Sequence, residues 1–406
     1  MNKLIVTDWN GQVLTALMAD GRCRYLQPEP KKEQTLLGTI WIGKVKNIVK
    51  NINAAFVDLG GGRTGYYSLS EHKTHIFARP GADGMAVIAE ANIKQGDEIV
   101  VQVARDAVKT KDPVLTSNLN FAGKYFVLTL NKTQLGFSSK LKGGPWKEET
   151  RWWLEERQNG PYGIIVRTNA EGTKREVLEE ELLSLQERLR HILTAAACRT
   201  CYSVLEEAEP FYIQGLRDSY SGSLEAILTD SPEYYAQMKS YLEAQKSEDL
   251  KRLQLYTDKS LPLIKLYSLE STLESALSKR VWLKSGGYLV IEPTEALTVV
   301  DVNTGKYDEK KNAAETVLKI NLEAAVETAR QLCLRNLSGI IIVDFIDMAS
   351  EEDKKLLLET LETELKKDSV KTVLVEMTKL GLVEITRKKV RKPLHETILG
   401  SRGSGE

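Results

Sequence analysis

The sequence has few of the features that usually announce a function. Four cysteines in 406 residues do not make a disulfide framework, so a reducing cytoplasm is the expected home. Four histidines, with no Ser/His/Asp arrangement in view, leave nucleophilic catalysis without support. The opening MNKLIVTDWN lacks the charged, apolar and cleavage segments of a signal peptide. No apolar stretch reaches the ~18 unbroken residues of a membrane span, and no internal repeat or low-complexity tract stands out. The formal net charge of +0 rules out a global field towards a polyanion and leaves any nucleic-acid binding to local basic patches.

Hydrophobic residues at 42% and charged residues at 28% are ordinary for a soluble globular protein, and the length implies two to four folding units. Residues 1 to about 35 read as short strands, LIVTDW and QVLTALMAD, followed by a Pro-containing link, QPEPKK. From Leu37 to Leu119 short strands crowd together (TIWIGKVKNIV, AAFVDLG, TGYYSL, DEIVVQVARD), with glycine turns at Gly43, Gly60 to Gly62, Gly65 and Gly96. That spacing predicts a small closed barrel. KYFVLTLN and YGIIVRTN predict strands, and KREVLEEELLSLQERLRHILTAAACRTCYSVLEE has apolar positions at helical spacing. Residues 213 to about 270 are polar and weakly patterned, including SYSGS and SEDLKRLQ.

Beyond Leu283 the pattern sharpens. KSGGYLVIEPTEALTVVDV predicts two strands joined by a Pro-Thr turn, and AAETVLKINLEAAVETARQLCLRN a long amphipathic helix. GIIIVDF reads as a buried strand. Ser350 before Glu351, Glu352 and Asp353 resembles a capping box opening the helix EEDKKLLLETLETELKKD. KTVLVEM and GLVEITR add two strands, so the segment predicts an α/β layer with a largely buried sheet.

Two acids break the apolar runs of this layer. Alternation in LTVVDVN puts Leu297, Val299, Asp301 and Asn303 on one face, and in GIIIVDFID it groups Ile340, Ile342 and Asp344. A carboxylate ending an apolar strand is costly unless it is paired, hydrogen-bonded or bound to a cation. Ligands of open α/β sheets gather at the carboxyl ends of strands, where both acids fall. Two carboxylates beside an amide are hard oxygen donors that suit Mg²⁺, or Mn²⁺, rather than zinc, and phosphodiester hydrolysis is the natural inference. The competing reading is that both acids cap turns, Asn-Thr-Gly being itself a turn signal. Asp347 falls on the opposite face and ranks lower.

Other signals are weaker. Phe56 and Tyr66 lie on adjacent predicted strands near Lys44, Lys46, Lys50 and Arg63, a composition fit for stacking single-stranded bases beside a basic groove. Phe56 as barrel core is the alternative. Arg167 and Thr168 end an apolar strand and have the chemistry to hold a terminal phosphate, or else form a solvated turn. The run TRKKVRKPL offers Arg387, Lys388, Lys389, Arg391 and Lys392 as a backbone-binding edge or a solvated face. Cys198 and Cys201, with His191 upstream, lack a second cysteine pair for zinc and read as core cysteines on a helix. His72 and His75 read as loop histidines.

KRVWLKSGGYLVIEPTEALTVVDVNTGK, NLEAAVETARQLCLRNLSGIIIVDFIDM and LGLVEITRKKVRKPL, in this order, resemble the catalytic core of the ribonuclease E/G family, and the likeness reaches back through GKVKNIVKNINAAFVDLGGGRTGYYSLSEH. The resemblance implies a multidomain α/β protein. It places a deoxyribonuclease-I-like catalytic layer over 278–399 and a ribonuclease-H-like part over 1–35 and 212–277. An inserted S1-type OB barrel would cover 36–117, a 5′-monophosphate sensor region 118–211, and a tail 400–406.

It further implies an endoribonuclease that cuts single-stranded RNA to 5′-phosphate and 3′-hydroxyl ends in RNA processing and decay. Asp301 and Asp344 would hold Mg²⁺ and Asn303 would orient the attacking water. Phe56, Tyr66 and Lys111 would face RNA, although TKDP replaces the family's usual lysine-glycine step. Arg167 and Thr168 would grip a 5′-monophosphate in a pocket lined by Gly123 and Val127, beside a link, LKGGPWKEETRWWLEERQ, unlike the family pattern. Longer members carry a zinc-binding cysteine motif and a small domain after the catalytic layer. With neither before HETILGSRGSGE ends, no structural zinc and no zinc-linked tetramer are expected, but a monomer or a differently joined dimer. Two other classes remain open: an RNA-binding protein whose metal site has lapsed, and a small-molecule phosphatase, which leaves the barrel unexplained.

Overall fold

The structure, a computed structural model, describes residues 2–31, 36–107, 111–158, 160–218, 224–305 and 313–402. The chain forms two compact units, Gln34–Ser221 and the combination of Met1–Glu33 with Gly222–Glu406.

In the first unit the strands Ile40–Val49, Ala54–Gly60, Arg63–Ser68, Val114–Thr116 and Glu98–Arg105 close into a barrel, because Ile40–Val49 pairs with both Ala54–Gly60 and Glu98–Arg105. Trp41, Val45, Val57, Leu59, Tyr67, Val101 and Leu115 fill it. Gly65 is required there, since a Cβ would stand 2.5 Å from Leu115. Of the two expected loop histidines, His72 lies in the loop between Arg63–Ser68 and Thr74–Pro80 and His75 on the strand Thr74–Pro80; both are buried, His72 stacked on the Tyr67 ring and the Tyr67 hydroxyl 2.7 Å from Nδ1 of His75. The contacts with Tyr67 account for their burial.

A four-stranded sheet follows, Asn120–Ala122, Phe126–Leu130, Tyr162–Val166 and Leu135–Phe137, packed against the helix Arg175–Cys198. The segment expected as a link contains the helix Pro145–Glu155, with proline at its start, where a missing N–H costs nothing, and Trp153 buried. Cys198 is not a core cysteine, and Cys201 packs against the core but lies beyond the helix. The helix ends at Cys198, which is exposed, because Arg199 turns extended, and Cys201 sits half-buried in the next turn.

The other unit holds two sheets. In the first, Asn2–Trp9, Gln12–Ala19 and Arg22–Pro30 form an antiparallel meander, with Leu224–Thr229 and Leu253–Leu255 added parallel to Asn2–Trp9. QPEP is therefore strand, not link. Arg22–Pro30 is the sheet's edge, where proline's missing donor breaks no ladder bond; Lys32 lies outside the described residues. The weakly patterned polar stretch contains the helices Phe211–Asp218, in the first unit, and Pro232–Ala244 and Leu269–Leu277 in this one, while its SYSGS lies outside the described residues.

The second sheet runs Arg280–Trp282, Tyr288–Pro293, Leu297–Asn303, Gly339–Asp344, Leu382–Arg387, Thr372–Met377. Leu297–Asn303 and Gly339–Asp344 are parallel and joined through the helix Ala313–Leu334. That helix and Glu351–Leu365 cover one face, burying Leu289, Ile291, Val300, Val302, Ile341, Val343, Val383 and Ile385. Ser350 caps the second helix, its hydroxyl accepting from the Asp353 N–H at 3.2 Å. The expected burial of the sheet holds for this face alone: on the other, Ile340 and Val375 are about half exposed. The helix Leu394–Arg402 extends into the expected tail, whose residues 403–406 lie outside the described ones. Among the described residues no helix is long and apolar enough to cross a membrane.

Candidate active site

Asp301 and Asp344 are register partners at the carboxyl ends of two parallel strands. Neighbouring strands lie ~4.8 Å apart and paired residues share a face, so both carboxylates stand side by side on the open side of the sheet. Both are exposed, and among the described residues no cation pairs with either. The Asn303 amide donates to Oδ2 of Asp301 at 2.7 Å, which leaves its carbonyl oxygen as an acceptor. The three residues read from the sequence are thus brought together.

The rim that carries them is held from below by the helix Ala313–Leu334. Glu323 accepts from the N–H groups of Lys284 at 2.6 Å and Ser285 at 3.0 Å, fixing the KSGG turn. Burial opposes its ionisation, but the hydrogen bonds from Ser285 and Lys284 outweigh that and lower the carboxyl pKa. That turn packs on the turn after Asn303 so closely that a Cβ at Gly305, where φ is +67°, would fall 2.2 Å from the Gly286 carbonyl oxygen. Asn321, fully buried, donates to the Ile346 carbonyl at 2.8 Å and accepts from its N–H at 3.1 Å, fixing the loop that follows Asp344. Sequence reasoning missed Asn321 and Glu323; a polar pair interrupting an apolar helix was the available signal.

Asp347 is exposed in that loop, its Oδ1 close to the Gly381 turn, and does not join the pair. Among the described residues no three His, Cys, Asp or Glu cluster as a metal cage. Two carboxylates on a solvent-facing rim fit a cation that takes one or two carboxylates and keeps water and phosphate oxygens, as Mg²⁺ does, and do not fit a four-ligand zinc site.

On the barrel, Phe56 and Tyr66 are register partners, partly exposed, with ring centroids 6.1 Å apart at 79°. Phe56 is not core: Ala55 and Val57 point inward on either side of it. Lys44, Lys46 and Lys50 are exposed, and Arg63 lies 4.8 Å over the Trp41 ring. Lys111 is exposed two residues before Pro113, whose carbonyl accepts the Tyr66 N–H at 2.8 Å, so it lies near the Tyr66 strand.

Arg167 donates through Nη1 to the Gly123 carbonyl at 2.6 Å and through Nη2 to Asp218 at 2.7 Å. Thr168 starts the following turn, and Val127 pairs with Ile165 next to it. Glu181, also missed, accepts the N–H groups of Lys124, Tyr125 and Phe126 at 2.8, 2.7 and 2.9 Å. Its burial outweighs those bonds and raises its pKa. A Cβ at Gly123 would collide with this carboxylate at 2.4 Å, which accounts for glycine there.

The basic run does not act as one edge. Lys388, Lys389 and Lys392 are exposed, but Arg387 is buried and paired with Asp368 at 2.7 Å, and Arg391 lies 3.8 Å from Glu29.

The sequence profile of the Ribonuclease E/G family matches residues 120–390. The chain is 34% identical to a Ribonuclease E of Nostoc sp. over 89% of its own length and 52% of that protein, so it spans about half of this relative. It is 32% identical to the Ribonuclease G of Salmonella typhimurium, and equally to that of Escherichia coli K12, over 98% of its own length and 81% of theirs. Profile and relatives together cover the acid pair, the barrel and the Arg167 site, and the chain belongs to the ribonuclease E/G family.

Proposed function

We propose that this chain is a Mg²⁺-dependent endoribonuclease of RNA processing and decay that cuts single-stranded RNA to 5′-phosphate and 3′-hydroxyl ends and favours 5′-monophosphorylated substrates. The observation that carries the reading is the register pairing of Asp301 with Asp344, with Asn303 hydrogen-bonded beside them. Asp301 and Asp344 are the residues that would hold the cation. Bound there, Mg²⁺ would neutralise charge on the phosphodiester and lower the pKa of water. Asn303, anchored by Asp301, offers its carbonyl oxygen to orient a water for attack on phosphorus, with the 3′-oxygen leaving.

Phe56 and Tyr66 serve as a stacking pair, worth ~1–3 kcal/mol per base, with Lys111 beside the backbone. Arg167 and Thr168 take the 5′-monophosphate, for which Asp218 must release the guanidinium. The sheet with parallel additions is read as the ribonuclease-H-like part and the acid-bearing sheet as the deoxyribonuclease-I-like layer. Free thiols at all four cysteines agree with a cytoplasmic setting.

The test is cleavage of a 5′-monophosphorylated, A/U-rich oligonucleotide in Mg²⁺ or EDTA. Wild-type protein cuts only with Mg²⁺. Asp301→Asn retains binding but loses several kcal/mol of barrier lowering, a rate loss on the order of 10³-fold. Undiminished cleavage by Asp301→Asn overturns the mechanism.

A further inference from the structure

One group of side chains on the acid-bearing sheet has no part in the site described so far. Tyr288 is the register partner of Asn303, and Trp282 is the register partner of Tyr288. Directly paired residues share a face, so Trp282, Tyr288 and Asn303 form a straight row across three adjacent strands. The row ends one pleat from Asp301, on the same open side. Strand spacing puts Tyr288 ~5 Å and Trp282 ~10 Å sideways from Asn303.

The composition of the row is unusual for a sheet face. Trp282 is 65% exposed on the edge strand, although tryptophan is on average well buried. Its ring lies 5.2 Å from that of Tyr288, tilted at 57°. The Arg280 guanidinium sits over both, 4.5 Å from the Tyr288 ring and 5.7 Å from that of Trp282. The alternate residues of the same two strands, Val281 and Leu289, point to the helix side and are buried, so the aromatic pair is not needed to close the core. An exposed indole beside a phenol, with a fixed positive charge against them, has the surface chemistry that stacks nucleobases and attracts a phosphodiester backbone. A second copy of this chain would also cover apolar surface, but the positive charge and the continuity of the row with Asn303 and Asp301 favour a polyanion lying across the acids.

We propose that Trp282, Tyr288 and Arg280 form a base-stacking subsite for the nucleotide flanking the scissile phosphate. This rests on the nuclease reading for the position of that phosphate. A base seated on Trp282 and Tyr288 holds its sugar-phosphate next to Asn303, and so fixes which bond is presented to the acid pair. Any base has a stackable face, so the subsite would position the strand without selecting one sequence.

The test uses the full chain and a set of single-stranded oligoribonucleotides, each with one abasic residue at a different position. Binding is measured in EDTA, and the cleaved bond is mapped separately in Mg²⁺. For the unmodified oligonucleotide, Trp282→Ala should bind on the order of 10- to 100-fold more weakly, and Trp282→Phe should recover most of that. In wild-type protein the abasic residue next to the cleaved bond should cost a similar factor, and in Trp282→Ala that same residue should cost almost nothing more. The exposure of Trp282 makes unfolding of the variant an unexpected outcome, and circular dichroism checks it. Equal binding by Trp282→Ala and wild type overturns the proposal, as do additive losses at every abasic position. Loss of a dimer on light scattering without any abasic coupling assigns the patch to a contact between copies and overturns it too. Coupling with no Mg²⁺-dependent cleavage upholds base stacking at Trp282 while refuting the nuclease reading, so the two fail separately. Absence of RNA binding by wild-type protein refutes both.

Discussion

The two faces of the acid-bearing sheet treat a carboxylate in opposite ways. On the helix side, Asp368 accepts from Arg387 Nε and the Tyr25 hydroxyl at 2.7 Å each, the Val370 N–H at 2.9 Å and the Thr372 hydroxyl at 3.0 Å. Arg387 also donates through Nη1 to Asn336 Oδ1 at 2.8 Å and to the Leu337 carbonyl at 3.0 Å. Every lone pair has a use, and the group is sealed from water. On the open side Asp301 has one amide neighbour and Asp344 is its register partner, with no cation of the described residues paired to either. A saturated acid can only stabilise the fold. An acid pair left to solvent has coordination capacity to spare, which is what a cation or a phosphodiester-bearing site needs.

The contrast is most exposed to failure where activity and stability separate. Asp301→Asn and Asp344→Asn are expected to abolish cleavage while changing unfolding free energy by no more than ~0.5 kcal/mol, as for other surface replacements. Arg387→Ala is expected to do the reverse. Removing one partner of a buried pair costs about 3–5 kcal/mol, read as a lower denaturant midpoint. Joint replacement, Asp368→Leu with Arg387→Met, should cost less than Arg387→Ala, because no buried charge is left uncompensated. If Arg387→Ala unfolded no more easily than wild type while losing RNA affinity, the run TRKKVRKPL would be a binding edge after all.

Asn321→Ala tests the link between the two faces. It removes the partner of the half-buried N–H and carbonyl of Ile346, at about 1 kcal/mol, and loosens the loop after Asp344. Its kcat should fall more than Asn321→Asp lowers it, since aspartate still accepts from the Ile346 N–H. A loss of stability with unchanged kcat would make Asn321 a packing residue only.

How much of this was legible depended on whether the signal was local. An apolar run broken by Asp301 or Asp344 carries its own alternation, so the face and the strand end could be read without the partner strand. Glycine turns made the barrel legible for the same reason. The partners of Glu323 lie 38 and 39 residues earlier, and that of Asn321 lies 25 residues later, so nothing in their own helix named them. Pro28 and Pro30 read as a link because being an edge strand is a property of the sheet, not of the segment. Arg387 was different. It has the parity of Val383 and Ile385, and strand alternation alone pointed it inward; the neighbouring lysines masked that. The row of Trp282, Tyr288 and Asn303 spans three strands and needed their register.

The smallest expected effect concerns pH. Burial disfavours ionised Asp368, but the charge of Arg387 and the hydrogen bonds from Arg387, Tyr25 and Val370 outweigh it, so its carboxyl pKa lies below the usual 3.8. A carboxyl with a depressed folded-state pKa binds fewer protons folded than unfolded in the window between the two values. Stability from this group is therefore complete above about 3.8 and is lost as pH falls from there through the folded-state value. Denaturant midpoints of wild-type protein should accordingly fall as pH drops below 4, and Asp368→Asn, less stable at neutral pH, should show a shallower fall over the same range. If Asp368→Asn kept the wild-type slope, the buried carboxyl would carry no acid-dependent stability, and the saturation argued for the helix side would be wrong.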